Sequence, residues 1–214
     1  MARQTEQLVA IPSGEVTLEG ALQVPESARG VVAFAHGSGS SRHSTRNQQV
    51  ARALFEAGFG TLLFDLLTIE EDTLYENRFD ISLLTARLRA ATLYLRDLTE
   101  TSGLPVGYFG ASTGAAAALH AAADLGDMVS AIVSRGGRPD LAMGVLGRVR
   151  TPTLLIVGGA DEQVLKLNRY ALAQIATPEK ALEVVTGATH LFEEPGALDS
   201  VSRLARDWFE RYLS

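Results

Sequence analysis

Val106-Gly107-Tyr108-Phe109-Gly110-Ala111-Ser112-Thr113-Gly114 is the stretch that decides the fold of this chain. Its first four residues have the apolar character of a buried strand, and the alanine-rich run 115–118 is typical of a helix seated close to a sheet. Between strand and helix, the pattern G-x-S-x-G places Ser112 on a sharp turn, because flanking glycines let the two elements approach closely. The stretch therefore predicts a serine hydroxyl exposed above the end of a strand.

The same change from strand to helix recurs along the chain. The apolar runs predict strands at 31–35, 61–64, 106–109, 129–134, 153–157 and 182–185, with helices between them that include a long one at 79–100. Two alternating stretches, 6–11 and 15–24, flank Pro12-Ser13-Gly14 and predict an antiparallel hairpin. Together these elements predict a three-layer α/β fold with a mainly parallel sheet, in a single domain spanning residues 1–214.

The amino-acid composition of the chain excludes several kinds of binding partner and chemistry. The chain has 19 Lys and Arg against 25 Asp and Glu, a formal net charge of −6, and no basic run, which argues against nucleic acid and anionic membranes as partners. No apolar stretch approaches the roughly 18 residues of a membrane span, and the first residues are polar, so we expect a cytoplasmic protein. The chain contains no Cys, which excludes disulfides, thiolate metal sites and a Cys nucleophile.

A serine hydroxyl needs a base, and the base needs an orienting acid. We expect His190, which follows the last predicted strand, to be the base, because His120 falls within the alanine-rich helix and is interpreted as structural. Asp161 ends an apolar strand and its glycine-rich loop, 49 residues after Ser112 and 29 before His190, and is the predicted acid. The adjacent Glu162 is the alternative, interpreted as a solvated charge.

The developing oxyanion needs two hydrogen-bond donors. One is the backbone N–H of Thr113, which follows the candidate nucleophile. The second is expected in the loop after the strand 31–35, where we choose the N–H of Ser38, with Gly37 and Gly39 as alternatives. His36 is interpreted as the residue that organises this loop; the position of His43, near the pocket or simply exposed, stays open.

Two arginines follow the strand 129–134 and should lie at the same end of the sheet as Ser112. Arg135 and Arg138 flank two glycines, and their guanidinium groups could clamp a substrate carboxylate. The alternative is that Arg138 pairs with Asp140 or Glu162 and fastens the loop.

The motifs quoted above, with Gly158-Gly159-Ala160-Asp161 and Gly187-Ala188-Thr189-His190, resemble the dienelactone hydrolase-like branch of the α/β-hydrolases over essentially the whole chain. The resemblance implies hydrolysis of small carboxylic esters or lactones, without metal or organic cofactor, and some hydrolases of this group are fused to phosphoribosyltransferase domains. The enzymes that give the group its name use a Cys nucleophile. Ser112 in its place favours a general serine esterase over an enzyme for dienelactones.

Several functions remain compatible with these residues. A thioesterase, a peptidase or an acyltransferase would use the same three side chains, and a non-catalytic binding protein could keep the fold, since fold alone does not fix function. Residues 135–152 have room for only one short helix near 141–146, so we expect no cap domain, an open site and a preference for short-chain esters. The physiological ester and any partner domain are not identified by the sequence.

Overall fold

A computed structural model describes residues 6–213, which fold into eight strands and six α-helices. The strands are β1 (Gln7–Ser13), β2 (Val16–Gln23), β3 (Val31–Ala35), β4 (Gly60–Phe64), β5 (Val106–Ala111), β6 (Ala131–Arg135), β7 (Thr153–Gly158) and β8 (Lys180–Val185). The α-helices are α1 (Thr45–Glu56), α2 (Ile69–Asp72), α3 (Ile81–Asp97), α4 (Thr113–Leu125), α5 (Glu162–Gln174) and α6 (Ala197–Tyr212). Short 3₁₀ helices occupy Tyr75–Phe79, Gly126–Met128, Pro139–Ala142 and Leu146–Arg148.

All eight strands belong to one mixed sheet, in the order β1-β2-β4-β3-β5-β6-β7-β8. The hairpin β1–β2 is antiparallel, β2 pairs antiparallel with β4, and the pairs from β4 to β8 are parallel. The predicted mainly parallel sheet with an N-terminal antiparallel hairpin is confirmed. Because β3 to β8 run in the same direction, their carboxyl ends lie at one edge of the sheet, where ligand sites of such folds gather.

Helices cover both faces of the sheet. The apolar side chains of α1 and α6 pack on one face, and those of α3, α4 and α5 pack on the other. The strands β3 and β5 are buried along their whole length, as expected for central strands covered on both sides. The three-layer prediction is therefore confirmed.

The long helix predicted over 79–100 is present as α3, slightly shorter at both ends, and the segment between β4 and α3 contains two short helices that the sequence did not predict. Helix α3 begins at Ile81 because the side chain of Asp80 accepts a hydrogen bond from the Leu83 N–H at 3.0 Å. Before it, Thr68 and Glu71 form a reciprocal capping box that starts α2, and a 3₁₀ turn follows. The sequence pattern Thr68-x-x-Glu71 was a signal for this helix that the apolar periodicity alone missed.

No cap covers the carboxyl edge of the sheet in the described part of the chain. Between β6 and β7 the structure has two 3₁₀ turns, at Pro139–Ala142 and Leu146–Arg148, where the sequence predicted one short helix near 141–146. Among residues 6–213, no helix combines the length and the apolar character needed to cross a membrane.

Candidate active site

Ser112 sits on a strained turn between β5 and α4. Its backbone has φ +49° and ψ −117°, a conformation that residues with a side chain rarely adopt. The close approach requires glycines: a Cβ on Gly114 would lie 2.1 Å from the carbonyl oxygen of Ala35, and one on Gly110 would lie 2.5 Å from the Cα of Ala115. The structure thus gives Ser112 the strained strand-to-helix turn that the G-x-S-x-G pattern predicts.

Asp161 and His190 are hydrogen-bonded to each other. Oδ2 of Asp161 lies 2.7 Å from Nδ1 of His190, and Oδ1 of the same carboxylate accepts from the Val164 N–H at 3.4 Å. Asp161 is therefore also the N-cap of α5, whose helix dipole favours a negative charge at this end. Glu162 is the first residue of α5 and is exposed, so the structure brings Asp161, and not its neighbour, to His190.

The loop that carries His190 is held from within. Glu194 Oε1 accepts from both the N–H and the hydroxyl of Thr189, at 3.0 and 2.6 Å, and these bonds lower the pKa of the Glu194 carboxyl. Phe192 closes the turn with φ +57° while its side chain is 1% exposed. Neither Glu194 nor Phe192 is predicted by the sequence, because neither stands in a recognised motif and their contacts depend on the tertiary position of the loop.

His190 lies next to the backbone that holds Ser112. The N–H of Ser112 donates to the carbonyl of Arg135 at 3.3 Å. The next residue, Gly136, faces the imidazole: a Cβ there would lie 3.5 Å from both Cε1 and Nδ1 of His190. None of the hydrogen bonds of residues 6–213 joins the Ser112 hydroxyl to the ring, a contact that catalytic sites commonly tighten only when substrate binds.

The two predicted oxyanion donors lie together. Ser38 and Thr113 line the same small cavity, and a Cβ on Gly37 would lie 3.1 Å from the Cβ of Ser112. Thr113 is the first residue of α4, so its N–H has no partner within the helix. The loop after β3 and the start of α4 thus meet beside the candidate nucleophile.

His36 ties this loop to the next strand. The Leu66 N–H donates to its Nε2 at 3.0 Å, so the ring proton is on Nδ1, which donates to the Gly37 carbonyl at 2.9 Å. Burial lowers the pKa of His36, which keeps the ring neutral. His36 therefore organises the loop, as expected. His120 lies within α4, with Nε2 3.3 Å from the Leu141 carbonyl, and His43 is exposed.

Arg135, the last residue of β6, and Arg138, three residues later, have different surroundings. Arg138 forms a two-pronged ion pair with Asp140, at 2.8 and 2.7 Å, which is the arrangement of the loop-fastening alternative and raises the pKa of Arg138. Arg135 is 8% exposed, and its guanidinium carbon lies 5.8 Å from the ring centroid of Phe192. No hydrogen bond or ion pair of its guanidinium occurs among the described residues, and its Nε is buried without a partner. Burial and the neighbouring Arg46 lower the pKa of Arg135 to about 10.

Comparisons with known proteins show the family and the fold of the chain. A sequence profile described as the dienelactone hydrolase family matches residues 18–214. A solved dienelactone hydrolase from Anabaena variabilis is 52% identical, with a TM-score of 0.96 and both chains covered completely. An α/β serine hydrolase homologue from Coxiella burnetii, 20% identical over 97% of this chain and 98% of its own, shares the fold with a TM-score of 0.78.

Curated relatives from two strains of Mycobacterium tuberculosis are 59% identical over 209 residues, and each is named a putative phosphoribosyl transferase. The match covers 97% of this chain and 47% of each relative. The chain therefore spans about half the length of the curated relatives it matches.

Proposed function

We propose that this chain, which belongs to the dienelactone hydrolase family, hydrolyses small carboxylic esters or lactones through an acyl-enzyme on Ser112. The observation that carries the proposal is the hydrogen bond between Asp161 and His190 beside the strained turn of Ser112. A nucleophile, a base and an orienting acid at one edge of a sheet are the parts that acyl transfer requires.

In the first half-reaction, His190 accepts the Ser112 proton at Nε2 as the hydroxyl oxygen attacks the ester carbonyl. Asp161 keeps the ring in the tautomer with the proton on Nδ1 and stabilises the imidazolium that forms. The carbonyl oxygen gains negative charge and is stabilised by the N–H groups of Ser38 and Thr113. His190 then returns the proton to the leaving alcohol oxygen, and the acyl group stays on Ser112.

In the second half-reaction, the same groups act on water. His190 removes a proton from the water as its oxygen attacks the acyl carbon, and the Ser112 oxygen leaves with that proton. The products are the carboxylic acid and the free serine. No step requires a metal ion or an organic cofactor.

A narrower proposal concerns charge recognition. The guanidinium of Arg138 is already neutralised by Asp140, whereas Arg135 keeps an uncompensated charge next to the backbone of Ser112. We therefore assign recognition of a negatively charged ester to Arg135, and loop fastening to Arg138. In Arg135→Met, the KM for an acidic ester should rise while the KM for a neutral ester stays close to the wild-type value. In Arg138→Met, the two esters should not differ in this way.

The test of the main proposal is covalent labelling with a fluorophosphonate, followed by peptide mapping. Labelling at Ser112 that is lost in Ser112→Ala and kept in Ser102→Ala is the expected result; Ser102 is an exposed serine after α3. No labelling of the wild-type protein would favour a binding protein on a hydrolase fold. A panel of oxygen esters, thioesters and peptides then separates an esterase from a thioesterase, a peptidase or an acyltransferase.

The name of the Mycobacterium tuberculosis relatives refers to proteins of about twice the length. For the stretch that they share with this chain, we propose ester hydrolysis and not phosphoribosyl transfer, because the strained Ser112 and the Asp161–His190 pair have no part in transferring a ribose phosphate. Phosphoribosyl transfer by the 214-residue chain would contradict this assignment.

A further inference from the structure

Large apolar side chains are exposed next to the candidate site, in the segment between β4 and α3. Ile69, Leu74, Tyr75 and Phe79 are 82%, 58%, 66% and 41% exposed, and they fall within eleven consecutive residues. Single exposed apolar residues are ordinary, but a concentration of them marks a surface that binds something. The segment is therefore a candidate binding surface.

Several polar side chains of the segment are hydrogen-bonded within the protein. Thr68 and Glu71 form the capping box of α2, and Glu71 also forms an ion pair with Arg87, which in turn donates to the Ser13 carbonyl at 2.7 Å. Asn77 Nδ2 donates to the Glu71 carbonyl at 2.8 Å. Thr68, Glu71 and Asn77 are therefore hydrogen-bonded within the protein, whereas the apolar side chains are exposed together with Glu70, Thr73 and Glu76.

The segment borders the predicted oxyanion loop. Arg78 is paired with Asp72 through Nε and Nη2, and its Nη1 lies 3.7 Å from the position that a Cβ would take on Gly39. Asp72 and Arg78 line the same small cavity as Ser38 and Thr113. The end of the 3₁₀ turn is thus continuous with the candidate active site.

Tyr75 shares a side of this turn with Arg78. Residues three apart in a 3₁₀ helix are eclipsed, so Tyr75 lies on the same side of the turn as Arg78, whose Nη1 is near Gly39 of the oxyanion loop. Its ring packs against Phe79, with centroids 5.2 Å apart, and Leu74 precedes it. Ile69 belongs elsewhere, because it lines a separate groove with Val16.

The direction of an ester in the site follows from the order of the strands. Asp161 and His190 come after β7 and β8, on one side of β5, whereas the oxyanion loop and the segment 68–80 come after β3 and β4, on the other side. Because His190 must protonate the leaving alcohol, the alcohol part lies on its side. With the alcohol on the side of His190, the side of β3 and β4 is left for the acyl part.

We propose that Leu74, Tyr75 and Phe79 form an apolar wall that binds the acyl group of the ester. The wall favours esters whose acyl group is larger and more apolar than acetyl, such as butanoyl, hexanoyl or benzoyl esters. These esters are bound from aqueous solution, and no lipid interface is needed. This inference rests on the proposed ester hydrolysis and adds the substrate class of that same site.

The experiment compares kcat/KM for the acetate and the hexanoate of one activated phenol. The test variant is Tyr75→Ser combined with Phe79→Ser, and the matched control is Tyr170→Ser, a tyrosine that is 62% exposed on α5. We expect the hexanoate-to-acetate ratio of the test variant to fall roughly 10-fold, which is the lower end of what one methylene contributes in an enclosed hydrophobic pocket, because the wall covers only one side of the acyl chain. The control should keep the wild-type ratio. Thermal unfolding of both variants verifies that the fold is kept.

A ratio that stays within about two-fold of the wild-type value in the folded double variant would overturn the wall. A change of oligomeric state in that variant, measured by light scattering, with an unchanged ratio would assign the surface to contact between two copies of the chain and would also overturn it. If the wild-type protein hydrolyses no ester and Ser112 is not labelled by a fluorophosphonate, the proposed function fails and the inference fails with it.

Discussion

Replacing Arg135 by Met should stabilise the folded protein. Arg135 is 8% exposed and its Nε is buried without a partner, and among the described residues its guanidinium forms no hydrogen bond or ion pair; its neighbours include a second cation, Arg46. A buried charge without a partner destabilises the folded state, because it loses hydration that nothing replaces. Met keeps an unbranched apolar side chain against the ring of Phe192 and removes the charge.

The size of the effect follows from the pKa. Burial, and then the charge of Arg46, lowers the pKa of Arg135 to about 10. The gap from arginine's ordinary pKa corresponds to ~3 kcal/mol at 1.36 kcal/mol per pH unit. Relaxation and the lost contact with the Phe192 ring reduce the gain, and we expect about 1–2 kcal/mol, or a rise in Tm of roughly 3–6 °C for a chain of this size. The penalty is present in full below pH 10 and decreases as the pH rises through that value, so the measurement belongs at pH 7.

The assay is urea unfolding of the wild-type protein and of two variants, Arg135→Met and Arg138→Met. Arg138 is the control because it is paired with Asp140, so its replacement should leave stability unchanged or lower it by up to about 1 kcal/mol. A loss of more than about 1 kcal/mol in Arg135→Met would refute the reasoning, since it would mean that the charge is compensated in the folded state.

Three further predictions concern the site. Ser112→Ala or His190→Ala should each lower kcat on an activated aryl ester by on the order of 10⁶, and Asp161→Asn by about 10⁴, because the base remains in the wrong tautomer; substantial turnover by Ser112→Ala would contradict the assignment. Burial lowers the pKa of His36, so below about pH 6.5 the unfolded chain binds a proton there and the folded chain does not. The free energy of unfolding should therefore decrease as the pH is lowered from 7 to 5. His36→Gln, which keeps an acceptor for the Leu66 N–H, should lessen that fall in urea unfolding between pH 7 and pH 5, and a parallel dependence would refute it. Because the site has no cap, the protein should hydrolyse short-chain esters without activation by a lipid interface. A preference for long-chain triglycerides over short-chain aryl esters would contradict this prediction.

The sequence by itself determined the layered architecture and the positions along the chain of the candidate site residues. Apolar runs alternating with helices are enough to predict a covered, mainly parallel sheet, and this sheet is what the structure has. The tight turn at Ser112 was readable because only glycine fits at Gly110 and Gly114, a local steric requirement that leaves its mark in the sequence. Asp161 and His190 were readable because each lies in the loop that follows a predicted strand.

Only the tertiary structure decided what each polar group meets. It paired Asp161 with His190 where Glu162 was the alternative, and it gave Arg138 a partner in Asp140 while leaving Arg135 buried under Phe192. It also left Leu74, Tyr75 and Phe79 exposed in the segment before α3, where the sequence predicted only that Phe79 begins a long helix. The physical reason is that periodicity and glycine positions reflect interactions between neighbours along the chain. The partner of a charge or an exposed ring depends on distances between elements that are far apart in sequence, which are fixed only when the layers pack.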